Sequence, residues 1–153
     1  MQRRTFLKGT LAASATGIAV GAGLLTPATV LAAWPKAAFD AKDVDSAVTA
    51  IVGGTPAASG DIKIKAPDIA ENGAVVPVTV TTTIAGLESV SILASANPFP
   101  LLASFNMTAA TLPYVSTRIK MGKTGNVVAV VKAGGKLYSA SKEVKVTIGG
   151  CGG

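Results

Sequence analysis

Val76-Pro77-Val78-Thr79-Val80-Thr81 carries a valine at every second position. A period of two sends the valines to one face of an extended chain and the intervening residues to the other, so this stretch predicts a half-buried strand. Pro77 has no N–H to give to a ladder, which favours an edge strand or a bulge at that point. The pattern extends in both directions. Upstream, Ile62 and Ile64 alternate with Lys63 and Lys65, and Pro67 to Gly73 turns the chain. Downstream, strands are expected over residues 88–95, 102–108, 113–121, 126–132 and 136–148, the last open to division at Ala140-Ser141. Asn97-Pro98-Phe99-Pro100, Gly122, Gly125 and Gly134-Gly135 separate them, the paired glycines as a tight hairpin turn. About seven short strands with turn signals at this spacing predict an all-β, antiparallel β-sandwich. Residues 39–52, FDAKDVDSAVTAIV, place Val44, Val48 and Ile51 at helical spacing, with Asp40 as cap and Gly53-Gly54 as stop. One short N-terminal helix is expected there, followed by a loop from Thr55 to Gly60.

The chain begins Gln2-Arg3-Arg4-Thr5-Phe6-Leu7-Lys8 and continues through an apolar, small-residue stretch from Leu11 to Leu25. A basic start, an apolar middle and a small-residue exit read as an export signal, and the paired arginines resemble the twin-arginine pattern. Gly17, Gly21, Gly23 and Pro27 weaken the segment as a lasting span, so no permanent membrane anchor is expected. Val30-Leu31-Ala32 offers a cleavage site, with Ala33 as the neighbouring choice. The expected organisation is a signal peptide over 1–32, a helix plus sandwich over 33–148 and a tail over 149–153. Taking Arg3, Arg4 and Lys8 from the 14 basic residues leaves 11 against 8 acidic ones, a net charge of +3. The lysines are spread along the sequence, no dense basic patch is expected, and nucleic acid is not an expected partner.

Cys151 is the only cysteine, and Gly149, Gly150, Gly152 and Gly153 surround it. Glycines remove side-chain bulk and widen backbone freedom, which predicts a thin, flexible tail bearing a thiol. In the strand before it, Val144, Val146 and Ile148 are expected to face inward, with Lys145 and Thr147 outward. An anchored root followed by glycines would let Cys151 swing about 7–10 Å, at about 3.3 Å per extended residue. Such a thiol suits a carrier that takes its load to other active sites.

The chain contains no histidine. Ser-His-Asp and Cys-His nucleophile arrangements, His-based zinc sites and blue-copper sites are therefore excluded. One thiol cannot form an internal disulfide or a dithiol exchange pair. Asp40, Asp43 and Asp45 lie at an apparent helix start and read as solvated caps rather than metal ligands, and Glu71-Asn72-Gly73 reads as a turn. No catalytic residue, cofactor or metal is expected. The chain-terminal carboxylate disfavours a thiolate at Cys151, the direction of Lys142 and Lys145 is open, and activation is expected from whatever binds the tail.

The tail, Gly149-Gly150-Cys151-Gly152-Gly153, resembles that of the SoxY family, the sulfur-compound carriers of the bacterial Sox thiosulfate-oxidising system. Glu71-Asn72-Gly73 with Val76-Pro77-Val78, Asn97-Pro98-Phe99-Pro100, Ser116-Thr117-Arg118-Ile119-Lys120 and Lys142-Glu143-Val144-Lys145-Val146-Thr147 resemble segments of the family in the same order. The resemblance implies a periplasmic protein with an immunoglobulin-like sandwich, paired as a heterodimer with a SoxZ-like sandwich subunit. It implies that Cys151 holds sulfur intermediates covalently, as an S-thiosulfonate formed with a SoxXA-like c-type cytochrome. A SoxB-like hydrolase would then release sulfate, and a SoxCD-like sulfane dehydrogenase, where present, would oxidise the remaining sulfur.

Two other roles fit a single exposed thiol. A structural or adhesion module would use Cys151 for an intermolecular disulfide, and an autonomous thiol enzyme would need an ordered activating site. Phe99, Phe105 and Met107 are candidates for a partner surface, with the sandwich core as the alternative for each.

Overall fold

The computed structural model describes residues 35–147. Among the described residues two helices precede the strands where one was expected: α1 (Lys36–Asp40) and α2 (Val44–Val52). Asp43, not Asp40, is the cap. Its side chain accepts the Ser46 N–H at 2.8 Å and the Ser46 hydroxyl at 2.7 Å, which holds its carboxyl below the usual carboxylate range. Asp40 instead pairs with Lys36 within α1. Gly53, at φ 78°, ends α2 in the left-handed region, as the paired glycines predicted.

Nine strands follow: β1 (Ala57–Ala58), β2 (Ile62–Lys65), β3 (Ile69–Ala70), β4 (Val76–Thr82), β5 (Leu87–Ala94), β6 (Leu101–Asn106), β7 (Tyr114–Ile119), β8 (Gly125–Ala133) and β9 (Lys136–Val146). The seven longer ones are those expected, and β9 runs undivided through Ala140-Ser141. The two additional strands, β1 and β3, are two-residue pairings. Each runs parallel to β9, so the sandwich is antiparallel except at these two contacts.

The larger sheet has the order β1-β9-β8-β5-β6, with β3 also against β9, and the smaller has the order β2-β4-β7. Val76, Val78 and Val80 point inward from β4 and meet Val90, Ile92, Ala94, Val127, Ala129 and Val131 of the larger sheet. Phe105 and Met107 are partly buried against this core, whereas Phe99 is exposed. Pro77 lies on the middle strand of the smaller sheet, not on an edge strand. The ladder between β2 and β4 stops at Lys65–Thr79, so the part of β4 around Pro77 has a strand neighbour only in β7. The missing N–H falls where the sheet is locally an edge.

A second apolar cluster covers the opposite face of the larger sheet. Ala38, Ala47 and Val48 of the helices pack on Leu93, Leu101 and Val130. The two clusters explain why residues 90–94 are buried without alternation: β5 meets the smaller sheet on one side and the helices on the other. Leu93→Ala should therefore cost about 2–5 kcal/mol in a denaturant melt, by emptying the seat of the helices while leaving the inter-sheet core intact.

Gly134 (φ 55°) and Gly135 (φ 71°) form the β8–β9 turn with both residues in the left-handed region. The Gly135 N–H donates to Glu88 Oε1 at 2.8 Å, and Lys132 Nζ lies 3.3 Å from Glu88 Oε2. The backbone bond first, and Lys132 second, lower the Glu88 carboxyl from its ordinary value. A lowered folded value means stability that is present above the ordinary carboxylate range and lost as pH falls through the lowered value. Glu88→Gln should lower the melting temperature slightly at neutral pH and flatten its decline in acid.

Candidate functional site

Cys151 and the glycines at 149, 150, 152 and 153 lie outside the described residues. The structure does describe the strand that leads to them. Val144 is buried in the inter-sheet core, Val146 is half-buried, and Lys145 and Thr147 are exposed, matching the expected alternation. Ile148 is also outside the described residues.

The end of β9 is held along both edges. On one side the Lys145 N–H donates to the Asp68 carbonyl at 2.9 Å and the Thr147 N–H to the Ala70 carbonyl at 3.1 Å, continuing the parallel pairing with β3. On the other, Thr124 Oγ1 accepts the Val146 N–H at 2.9 Å, beyond the point where Val144 pairs with Gly125 of β8. Lys142 Nζ donates to the Ala66 carbonyl at 2.7 Å and lies 3.0 Å from Asp68 Oδ1, which fastens residues 66–68 alongside β9. Lys142 is thus directed at residues 66–68, while Lys145 is exposed.

Three loops close around this end. Asn72 makes the expected turn, its Oδ1 accepting the Ala74 N–H at 2.9 Å. Gly73 accepts the Met121 N–H through its carbonyl at 2.7 Å. A Cβ on Gly73 would stand 2.4 Å from the Met121 carbonyl oxygen and 2.8 Å from Val146 Cγ1, so the close approach requires glycine. Asn97 Nδ2 donates to the Lys120 carbonyl at 2.7 Å while Oδ1 accepts the Gly122 N–H at 3.0 Å. Ser95 Oγ accepts the Asn126 N–H at 3.0 Å. Above this loop, Lys42 Nζ lies 3.4 Å from the centroid of the Phe99 ring, a cation–π contact that ties the junction between the helices to the same end.

Glu71-Asn72-Gly73, Asn97 to Pro100, Ile119-Lys120 and Val144 to Thr147, scattered in sequence, thus meet at one end of the sandwich. Asp68 and Thr124 belong to the same assembly and were not singled out by sequence reasoning. Neither has a signal in the sequence, because each acts through a pairing set by topology. Among the described residues no cluster of histidine, cysteine or carboxylate side chains could hold a metal, and no helix is long and apolar enough to cross a membrane. What the arrangement supplies is a rigid root: β9 cannot swing as far as Thr147, and any freedom of the tail starts beyond it.

Residues 48–151 match the family model described as sulfur oxidation protein SoxY. The chain is similar to the solved structure of the sulfur carrier protein SoxY from Chlorobium limicola f thiosulfatophilum, with 54% identity and a TM-score of 0.62 over 68% of this chain and 96% of that one. It is also similar to a superoxide reductase (neelaredoxin) from Ignicoccus hospitalis, with 22% identity and a TM-score of 0.52 over 56% of this chain and 80% of that one, a likeness of fold alone. No curated protein matches the chain.

Asn97→Ala removes both side-chain bonds that join the β5–β6 loop to the β7–β8 loop. It should cost about 1–2 kcal/mol in thermal or denaturant unfolding and speed amide exchange at Gly122 more than in the hairpin at Gly135.

Proposed function

The chain belongs to the SoxY family of sulfur oxidation proteins, sulfur carriers rather than enzymes, and from that premise we propose that Cys151 is the covalent attachment point for thiosulfate-derived sulfur. The observation that carries this reading is the extent of the family match. It begins in α2, takes in the whole sandwich and ends on the chain's only cysteine. The fixed end of β9 supports it physically. A carrier must offer its load at a defined place, and a root bonded along both edges up to Thr147 defines that place for the glycine-flanked thiol.

In the proposed cycle the Cys151 thiol joins the sulfane sulfur of thiosulfate. An S–S bond forms, the thiol proton is released, and two electrons pass to a c-type cytochrome partner of the SoxXA kind. Water then attacks the terminal sulfone in a SoxB-like hydrolase. The bond between the sulfane sulfur and the sulfone breaks, sulfate and two protons leave, and a persulfide stays on Cys151. A SoxCD-like dehydrogenase, where present, would oxidise that sulfur. The carrier itself contributes no acid, base or cofactor to these steps, only placement. Activation of the thiol comes from the partner that encloses it.

The setting proposed is the periplasm, reached by the twin-arginine pathway after removal of residues 1–32, with residues 33–148 as the body and 149–153 as the flexible arm. A SoxZ-like sandwich subunit is the proposed permanent partner.

Intact mass spectrometry of the exported protein, purified without reductant from cells oxidising thiosulfate, tests the attachment when combined with fragmentation across residues 149–153. Reductant-sensitive thiosulfonate or sulfane mass on Cys151 is expected. It should be absent from Cys151→Ser, whose melting temperature should match that of the parent chain. A thiol that stays unloaded while the cells consume thiosulfate would overturn the proposal, and a clean Cys151–Cys151 link would favour the disulfide-joined structural role instead.

A further inference from the structure

The lysines that look dispersed in sequence are gathered by the fold. On the smaller sheet the inward residues are Ile62 and Ile64 of β2, Val76, Val78 and Val80 of β4, and Val115 and Ile119 of β7. The alternate residues therefore form the outer face. Register places Lys63 beside Thr81, Lys65 beside Thr79, Ser116 beside Thr79 and Arg118 beside Pro77. Thr79 Oγ1 and Ser116 Oγ are 3.1 Å apart, so the centre of the face is a hydroxyl ladder. Lys63, Lys65 and Arg118 are exposed, as is Lys120 just past the end of β7. None of these four cations forms an ion pair with a described residue. No carboxylate lies on the three strands, and Asp61 just before β2 is the nearest in sequence.

These four cations carry +4, while the other 7 basic and 8 acidic residues of 33–153 nearly cancel. The face also reaches the end from which the tail departs: Arg118 and Lys120 adjoin the loops stapled by Asn97, while Lys63 lies toward the opposite end. A permanent subunit interface has a core depleted of charge and rich in apolar side chains. Apart from Pro77 and the exposed Tyr114 beside Thr81, this face carries cations and hydroxyls. Charged, hydroxyl-lined surfaces instead speed encounter and orient it while leaving release fast. A carrier that must visit several active sites in turn needs that combination.

We infer that the outer face of β2, β4 and β7 is a transient docking surface for an acidic surface of the enzymes that process the sulfur on Cys151. This rests on the carrier reading. The alternative role for these cations is to keep the two edge strands of the smaller sheet from pairing with other chains.

The test starts from the full exported chain paired with its partner subunit and loaded chemically. Tetrathionate transfers a thiosulfate unit to the Cys151 thiol, releasing thiosulfate and a proton, so no cytochrome is needed. Sulfate release from this load by the purified hydrolase is measured at low and at physiological ionic strength, comparing the parent, Lys65→Glu/Arg118→Glu and the equally charged control Lys36→Glu/Lys136→Glu. Expected is a fall in kcat/KM of about tenfold or more for Lys65→Glu/Arg118→Glu at low salt, with kcat at saturation kept, the control near the parent, and the parent's salt dependence flattened in the variant. Lys65→Gln/Arg118→Gln, which removes charge without creating repulsion, should fall between. Equal kcat/KM and equal salt slopes in all the chains would overturn the docking surface while leaving the carrier reading intact. So would a defect seen only when a cytochrome loads free thiosulfate, since the cations would then be gathering the anion. No sulfate release from the loaded parent would overturn the carrier reading and this inference with it.

Discussion

β9 is 11 residues long and has β8 along one side only. Left alone, its other side would be a row of unpaired backbone donors and acceptors. Residues 57–70 cover that side by weaving between the sheets. β1 pairs with Tyr138 and Ser139, β2 crosses to the smaller sheet, and β3 returns to pair with Lys145 and Val146. In the gap between the two contacts the Lys142 ammonium reaches Ala66 and Asp68. The same segment therefore closes one side of the sandwich and fixes the strand that leads to the tail. Loosening it would expose an edge and release the root together.

Burial of the larger sheet on both faces is the second condition for a steady root. Helices cover Leu93, Leu101 and Val130 on one side, and the smaller sheet covers Ile92, Ala129 and Val131 on the other. With apolar contacts on both sides, β5 and β8 form a stiff centre to which β9 is laddered over nine register pairs. Glycine is absent from the strand interiors here and concentrated where chains turn or cross closely, at Gly134-Gly135 and at Gly73.

Most of the strand order was legible because alternation of Val, Ile and Thr against polar residues is a local signal, and the Gly-Gly turn is explicit. The three-layer arrangement was not legible: Ser91 interrupts the apolar residues from Val90 to Ala94, and so short a run does not say what covers its second face. The two-residue strands β1 and β3 left no trace, since Ala57-Ala58 and Ile69-Ala70 are too short for a period. The helix was divided because Asp43 caps more effectively than Asp40, accepting two bonds from Ser46. Pro77 was placed on a middle strand because sequence gives the missing donor but not the length of the neighbouring strand. At the candidate site the thiol and its glycines were evident from composition, whereas the stapling by Asp68, Thr124 and Asn97 depends on segments brought together across as many as 77 residues, from Asp68 to Lys145. The basic face was hidden for the same reason: Lys65 and Arg118 are distant in sequence and share a face only through β4.

The pairing of β9 also decides how the molecule bears a load. Hydrogen bonds in a ladder lie across the strand, so a pull along its axis engages many of them together instead of opening them one at a time. Force entering β9 from its C-terminal end meets the contacts with Asp68, Ala70 and Thr124 first, and behind them the full ladder to β8. Withdrawing a chain end from a close-fitting cleft applies such a pull. The geometry is that of a strap sewn down along its length, and it would keep the body together under such a pull.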